Sequence, residues 1–467
     1  MEVVNNISKQ KAALLLLVLA VLVYLLNQLP FLEDMRPVMY DEAWYSNTAY
    51  NLCIGNGLHQ TSVGSGGNSN CVFPIIGAAF FSVFGYSLFS IRLASVFCGL
   101  LTMVIIHFTL NELKSSFPGR MLSYLFFVSI PLFNTVFRFA RPECASMLGL
   151  AGGILFYLRY WRTHSWADMS FLSIFCIFAT NAHPFALFSF FFFGVALLIS
   201  IWRDRDWKRL SQLTVLVFAA LIGLGLLFGL SLHYNDGSTS SVLFERASLT
   251  NWKEAVSFYY KEVFASRFAV YSFVVLLVLI LTSMFVKDRR VSSLAFLSII
   301  NGLSFPLLFS TDLMMVGYGW MYVSLVSVIF VASLVDSFPL PKSLKKWAFA
   351  GMVLYSMACF SLSYYYNYRI KYERCNSVLG QDVSKIIPKG AVVYGPVRQW
   401  FCAMETIYYS DHYRFELPME FDYLIFNSQD KDLYEDNKKV LPLIDSYELI
   451  YNRDTKQYGE VMVYKRK

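Results

Sequence analysis

The run AALLLLVLAVLVYLLNQLP, residues 12–30, decides the fold. A helix needs about 20 apolar residues to cross a bilayer, and no charge interrupts this stretch. The preceding MEVVNNISKQK has no small-residue cleavage site, so the run reads as a retained helix rather than a removed signal. Ten comparable runs follow, at roughly 87–111, 121–137, 144–161, 167–182, 185–202, 211–232, 268–286, 291–310, 317–335 and 346–366. The apolar stretch 72–85 is too short to span and reads as an interfacial helix.

Composition agrees. Of 467 residues 56% are hydrophobic and only 15% charged, against about 25% charged in soluble domains. Mean hydropathy is +0.48. Phe (43) and Tyr (30) are abundant, as aromatic belts at two interfaces require.

The charges give orientation. Lys9 and Lys11, then Lys114 and Arg120, then Arg159 and Arg162 fall in alternate connections. Arg203, Arg205, Lys208 and Arg209, then Lys287, Arg289 and Arg290, then Lys342, Lys345 and Lys346 continue the series. By the positive-inside rule these connections face the cytoplasm. Loops 31–86, 138–143, 183–184, 233–267 and 311–316 then face outward, and eleven spans leave the C-terminal segment outside too. The net charge of +7 is therefore a topology signal and does not point to nucleic acid.

Residues 368–467 carry frequent charges and no spanning run. Strands are expected near 391–394, 421–426, 447–451 and 461–464, with a helix-like stretch at 398–409. The chain thus divides into a membrane domain, 1–367, and a small α/β domain, 368–467. Cys53 and Cys71 share the first outer loop, and Cys375 and Cys402 share the C-terminal domain. Either pair suits a disulfide in an oxidising compartment, and free thiols suit both equally. No Cys/His spacing resembles a structural zinc site.

Candidate chemistry gathers on the outer side. The first outer loop contains MRPVMYDEAWYSNTAYNLCIGNGLHQTSVGSGGNSNCVFP, residues 35–74. If 41–52 is helical, Asp41, Tyr45 and Thr48 share a face, while Glu42 diverges and serves a different partner. An interfacial carboxylate can take a proton from a substrate hydroxyl or hold a cation; an acidic pair also simply suits a helix N-terminus. The next outer turn holds Arg138, Arg141 and Glu143. Arginine forks suit phosphate, and snorkelling to headgroups is the plainer alternative. His183 stands at a third outer turn, able to bind phosphate or relay a proton, or to serve as a structural hydrogen-bonder. Arg92 lies near the outer start of the second span. Asp312, Tyr318 and Trp320 mark the outer end of the tenth, where an aromatic belt accounts for them unless they line a cavity. Midplane ionisable groups, which a coupled transporter needs, do not recur.

Tyr40-Asp41-Glu42 with Ala49 and Gly55-Asn56-Gly57, then Pro74 to Leu113 with Phe84-Gly85 and Ile91-Arg92-Leu93-Ala94-Ser95, then Ala140-Arg141-Pro142-Glu143, and finally Tyr318 and Trp320 resemble the GT-C class of lipid-phosphate-sugar-dependent glycosyltransferases. The similarity is to the protein O-mannosyltransferase and lipid A aminoarabinose transferase group, over about 1–200 and more loosely beyond. It implies an all-α polytopic bundle of about eleven spans with an extracytoplasmic α/β domain. It also implies a polyprenyl- or dolichyl-phosphate sugar donor and inverting transfer to a hydroxyl of a glycan, lipid or protein in the cell envelope. Asp41, Glu42 and Glu143 are then expected as catalytic residues. Arg138, Arg141 and His183 would bind the donor phosphate, and Tyr45, Arg92, Tyr318 and Trp320 would line the substrate cavity. Membrane lipids are the other expected partner, and the inner membrane the expected location. The acids leave a divalent metal open. Phe73 stands where the aminoarabinose transferases carry a lysine before the proline, which argues against that particular sugar. A lipid or polysaccharide flippase, and a scaffold whose C-terminal domain binds a partner, are the competing classes.

Overall fold

The structure, a computed structural model, describes residues 2–34, 38–62, 70–235, 269–308, 313–339, 341–369, 375–410, 420–429 and 440–467. Most of the expected loop 233–267, and Asp312, lie outside the described residues. The described elements of the membrane domain are helices: α1 Glu2–Gln28, α2 Tyr40–Cys53, α3 Val72–Phe84, α4 Leu88–Glu112, α5 Phe117–Ser129, α6 Pro131–Val136, α7 Glu143–Thr163, α8 Trp166–Ala182, α9 Phe188–Asp204 and α10 Leu210–Asn235. They continue with α11 Ala269–Phe285, α12 Arg289–Leu308, α13 Leu313–Ser337 and α14 Lys342–Arg369.

Helix occupies each of the eleven stretches expected to span, with one break. The third is two helices, because Pro131 brings no backbone N–H to continue the ladder and holds Ile130 in an extended conformation (ψ 117°). Among the described residues, five helical stretches are long and apolar enough to cross a membrane: Gln10–Gln28, Leu88–Glu112, Pro184–Asp204, Trp207–Leu230 and Trp320–Ser337. Val72–Phe84, Trp166–Ala182, Tyr271–Phe285 and Phe349–Tyr365 are shorter apolar helices, so the count of eleven rests on the sequence. The protein is an integral, multi-pass membrane protein.

Small residues let the bundle close, as expected where lipid removes the hydrophobic drive between helices. A Cβ at Gly149 would lie 2.7 Å from the Ala179 side chain, so α7 and α8 approach only because it is missing. Tyr24 of α1 donates to the Val96 carbonyl of α4 at 2.9 Å, and its hydroxyl occupies the space a Cβ of Gly99 would need.

The first loop is built around α2 and α3. The turn after α2 needs left-handed backbone at Gly55 (φ 86°) and Gly57 (φ 68°), where glycine is unstrained. Asn51 fixes its course, donating to the His59 carbonyl at 2.7 Å and accepting from the Thr61 hydroxyl at 3.1 Å.

The C-terminal domain places a helix, α15 Cys375–Ile386, before a five-stranded mixed sheet. Its strands are β1 Val392–Gly395, β2 Ile407–Ser410, β3 Tyr423–Asn427, β4 Tyr447–Thr455 and β5 Gly459–Arg466, in the order β2-β1-β3-β5-β4. β1 runs parallel to β2 and β3, and β5 antiparallel to β3 and β4. The four expected strands are all present. The stretch 398–409 is not one helix: a 3-10 turn, Val397–Cys402, is followed by β2. Ile407, Tyr408 and Tyr409 are β-branched and aromatic, and the open edge of β1 gives them a partner.

This domain is fastened to both ends of the loop segment carrying α2. Before it, Asp34 accepts from the Ser377 backbone N–H (2.9 Å) and hydroxyl (2.7 Å). The Tyr458 hydroxyl accepts from the Val38 N–H at 2.8 Å and donates to Asn376 Oδ1 at 2.7 Å. After it, the Ser410 N–H donates to the Ser62 carbonyl at 3.0 Å. All eight cysteines are free thiols, so neither Cys53 with Cys71 nor Cys375 with Cys402 is bonded; Cys53 instead meets the Ala78 carbonyl at 3.3 Å.

Candidate active site

Helix α2 begins at Tyr40, which puts both acids in its first turn, where the helix dipole favours negative charge. They diverge. Glu42 turns inward and is fully buried. Its Oε2 accepts from the Met39 N–H at 3.0 Å, completing the turn entry. Arg92 meets it with Nε to Oε1 and Nη2 to Oε2, both at 2.9 Å. The Ala140 N–H adds a bond to Oε1 at 2.9 Å. The other arm of Arg92 donates to the carbonyls of Leu32 (2.9 Å) and Glu33 (2.8 Å). Glu42 thus ties together the start of α2, the end of the segment after α1, α4 and the turn before α7.

Asp41 faces the other way, towards Arg141. Arg141 Nη2 lies 3.0 Å from Asp41 Oδ2 and 2.6 Å from Glu143 Oε1. The Asp41 side chain keeps 25% of its surface exposed, Arg141 13% and Glu143 4%. Glu143 opens α7, again at a dipole's positive end, and its buried Oε2 has no hydrogen-bond partner among the described residues. Two carboxylates from separate loops therefore share one guanidinium, and Asp41 is the one that solvent reaches.

Tyr45, one turn beyond Asp41, belongs to the same cluster. Burial raises its phenol above the ordinary range, and the charges of Asp41 and Glu143 add to that. Asn70 donates to its hydroxyl at 3.4 Å, and its ring meets Phe73 edge-on at 6.4 Å.

Of the three residues expected at the donor phosphate, Arg141 is the one that joins the two acids. Arg138 is fully buried and donates to the carbonyls of Asn27 (2.8 Å) and Pro30 (2.7 Å), satisfying groups that the end of α1 leaves open. His183 is 5% exposed. Burial first, and the Arg141 charge second, hold its pKa down to about 3, so it is neutral near pH 7. Arg92 has no exposed surface. Trp320 is buried in α13, and the side chain of Tyr318 lies outside what is described.

Sequence reading missed Ser146 and Tyr322, whose hydroxyls meet at 2.9 Å one turn into α7 from Glu143. It also missed that Arg92 is the partner of Glu42, since nothing in either motif records a contact across 50 positions. Among the described residues no group of three or more His, Cys, Asp or Glu side chains is placed to hold a metal ion. The positive charge between Asp41 and Glu143 is that of Arg141.

Residues 70–228, from the approach to α3 through most of α10, match the family described as dolichyl-phosphate-mannose-protein mannosyltransferase. That stretch includes Arg92, Arg138, Arg141, Glu143 and His183 and begins after Asp41. The crystal structure of ArnT from Cupriavidus metallidurans bound to undecaprenyl phosphate is similar, with a TM-score of 0.61, 13% identity and 97% of each chain covered. The same protein in the apo state gives 0.59 and 12%, over 96% of this chain and 97% of that one. Archaeal oligosaccharyltransferase AglB from Archaeoglobus fulgidus, in complex with an inhibitory peptide and a dolichol-phosphate, gives 0.54 and 10%, covering 98% of this chain and 74% of that one. No curated protein matches the chain in sequence. The fold is that of the GT-C glycosyltransferases, as the motifs imply, and the family match together with that fold supports a membrane glycosyltransferase.

Proposed function

We propose that the protein transfers a sugar from a polyprenyl-phosphate or dolichyl-phosphate carrier to a hydroxyl acceptor, at the extracytoplasmic face, with inversion at the anomeric carbon. The observation that carries this reading is the Asp41–Arg141–Glu143 cluster, a partly exposed carboxylate beside a guanidinium held by a second, buried carboxylate. Asp41 takes the proton of the attacking hydroxyl as its oxygen bonds the anomeric carbon. The bond from that carbon to the phosphate oxygen breaks, and its electron pair leaves with the lipid phosphate. Arg141 stabilises that developing charge, the interaction that matters most in the transition state. Glu143 orients Arg141, and neutral His183 contributes hydrogen bonding rather than charge.

Glu42 and Arg92 act through position: they fix the helix start that aims Asp41. Tyr45 and Trp320, with Tyr318, remain our candidates for the cavity wall. The loop charges support placing this cluster and the C-terminal domain outside the cytoplasm. Incubating the purified protein with a panel of polyprenyl-phosphate sugars tests the reading. Release of the free lipid phosphate from at least one donor is expected, and no consumption of any donor in the presence of envelope acceptors would refute it.

A further inference from the structure

A cavity of about 400 Å³ lies where the C-terminal domain meets the first loop. It is separate in its lining from the Asp41–Arg141–Glu143 cluster. On one side it is lined by Glu33, Val38 and the turn between α3 and α4; on the other by α15 and residues between Arg398 and Thr406. The volume falls within the range of small-ligand sites.

The lining has a definite chemistry. Its charged groups are two acids, Glu33 and Glu405, and two bases, Lys389 and Arg398, so the wall is balanced. Lys389 and Glu405 already pair at 2.7 Å on the rim, and Arg398 lies over the Tyr40 ring, 4.5 Å from its centroid. No unbalanced charge is offered to a phosphate or a free cation. Aromatic surface comes from Tyr86, which is 39% exposed. Gln399 supplies the second observation. It lines the cavity and is only 2% exposed; its Oε1 accepts from Asn427 at 3.2 Å, while its buried Nε2 has no hydrogen-bond partner among the described residues. A buried donor without an acceptor is costly unless a ligand supplies one.

An amide donor, an aromatic face and paired charges in a neutral pocket suit a ligand that is uncharged and rich in hydroxyls. The position ties it to the reaction. Val38 lines the cavity two residues before α2 begins, and Arg398 covers the residue next to Asp41. We infer that this cavity seats a neutral glycan portion of the acceptor, held between the first loop and the C-terminal domain so that its reacting hydroxyl is delivered to the Asp41 end of α2. The inference rests on the transferase reading for its link to catalysis, but the site itself is read by binding alone.

The test uses the full chain in detergent micelles without donor. Short neutral oligosaccharides, acidic oligosaccharides, uncharged peptides and inorganic phosphate are offered in turn, with equilibrium binding measured by saturation-transfer NMR. At least one neutral oligosaccharide is expected to bind with a Kd of about 1 mM or tighter. Ser384→Trp, at an exposed position on the cavity mouth, should weaken that binding at least about tenfold, a loss of roughly 1.4 kcal/mol. Gln399→Leu should weaken it as well, and thermal unfolding of both variants shows whether each is folded. Failure of every neutral oligosaccharide to bind overturns the inference. Equal binding by folded Ser384→Trp, or binding of peptide in place of sugar, overturns it too. Donor consumption is scored separately, so an inactive transferase and an empty cavity give different results.

Discussion

Arg92 grips Glu42 by two parallel hydrogen bonds of 2.9 Å, with neither side chain exposed. The pair joins α2 to α4 and, through the Ala140 N–H, to the turn that carries Arg141. The two acids of the first loop therefore face different partners: Glu42 holds the framework, and Asp41, beside Arg141, is the one proposed to meet the substrate.

Removing one member of a fully buried ion pair strands the other charge, at a cost of about 3–5 kcal/mol. Arg92→Met and Glu42→Gln should each show a loss of stability, Arg92→Met the larger because it removes the counter-charge of Glu42 and also the donor to the Leu32 and Glu33 carbonyls. The double variant Glu42→Leu with Arg92→Met should recover a large part of it. Thermal unfolding in detergent measures this; singles as stable as the wild type would show that the pair does not hold the loop.

Arg141→Ala should weaken donor use more than acceptor use, since its charge is assigned to the leaving phosphate. Steady-state kinetics with each substrate varied in turn reads the split. Equal losses in both would remove that assignment. Arg141→Lys should fall short of restoring activity, because an ammonium paired with both carboxylates lacks the further guanidinium N–H groups proposed to meet the phosphate.

His183 gives a pH dependence whose sign is fixed. Its folded pKa of about 3 lies below the unfolded value near 6.5. The unfolded chain therefore binds the extra proton first as pH falls. The stability associated with neutral His183 is complete above pH 6.5 and is lost between there and about 3, amounting to roughly 5 kcal/mol. His183→Gln should flatten that part of the stability profile. An unchanged acid slope in the variant would show that the imidazole is not held neutral by burial.

Tyr458 reaches the first loop from the far end of the chain, with Val38 on one side of its hydroxyl and Asn376 on the other. Tyr458→Phe leaves both groups without that partner, a cost of about 1–3 kcal/mol. Faster limited proteolysis between the two domains and a lower kcat with little change in donor KM are expected. If kcat and proteolysis are both unmoved, the domain does not position α2.

Much of this was legible in the sequence because its signals are local. Uninterrupted apolar runs located helix in all eleven expected stretches, and alternation with turn residues located four of the five strands. The divergence of Asp41 and Glu42 followed from 100° per residue, and their separate partners, Arg141 and Arg92, bear it out. What stayed hidden depends on contacts between distant segments. Arg138 looks like a phosphate ligand in sequence, yet the carbonyls it satisfies at Asn27 and Pro30 become its neighbours only after the bundle closes. The neutrality of His183 comes from burial, which no motif records. Strand β2 was concealed because Ile407–Ser410 continues an aromatic stretch whose first half is a helical turn.

Asp41 is the proposed base, and substituting it by its amide isolates that role. Asp41→Asn keeps the shape and can still accept a hydrogen bond from Arg141, but it cannot take a proton from the acceptor. With a donor the wild type consumes, and with donor binding and thermal stability shown to be retained, transfer should fall by roughly a hundred- to ten-thousand-fold. Transfer at the wild-type rate by folded Asp41→Asn would show that Asp41 is not the base.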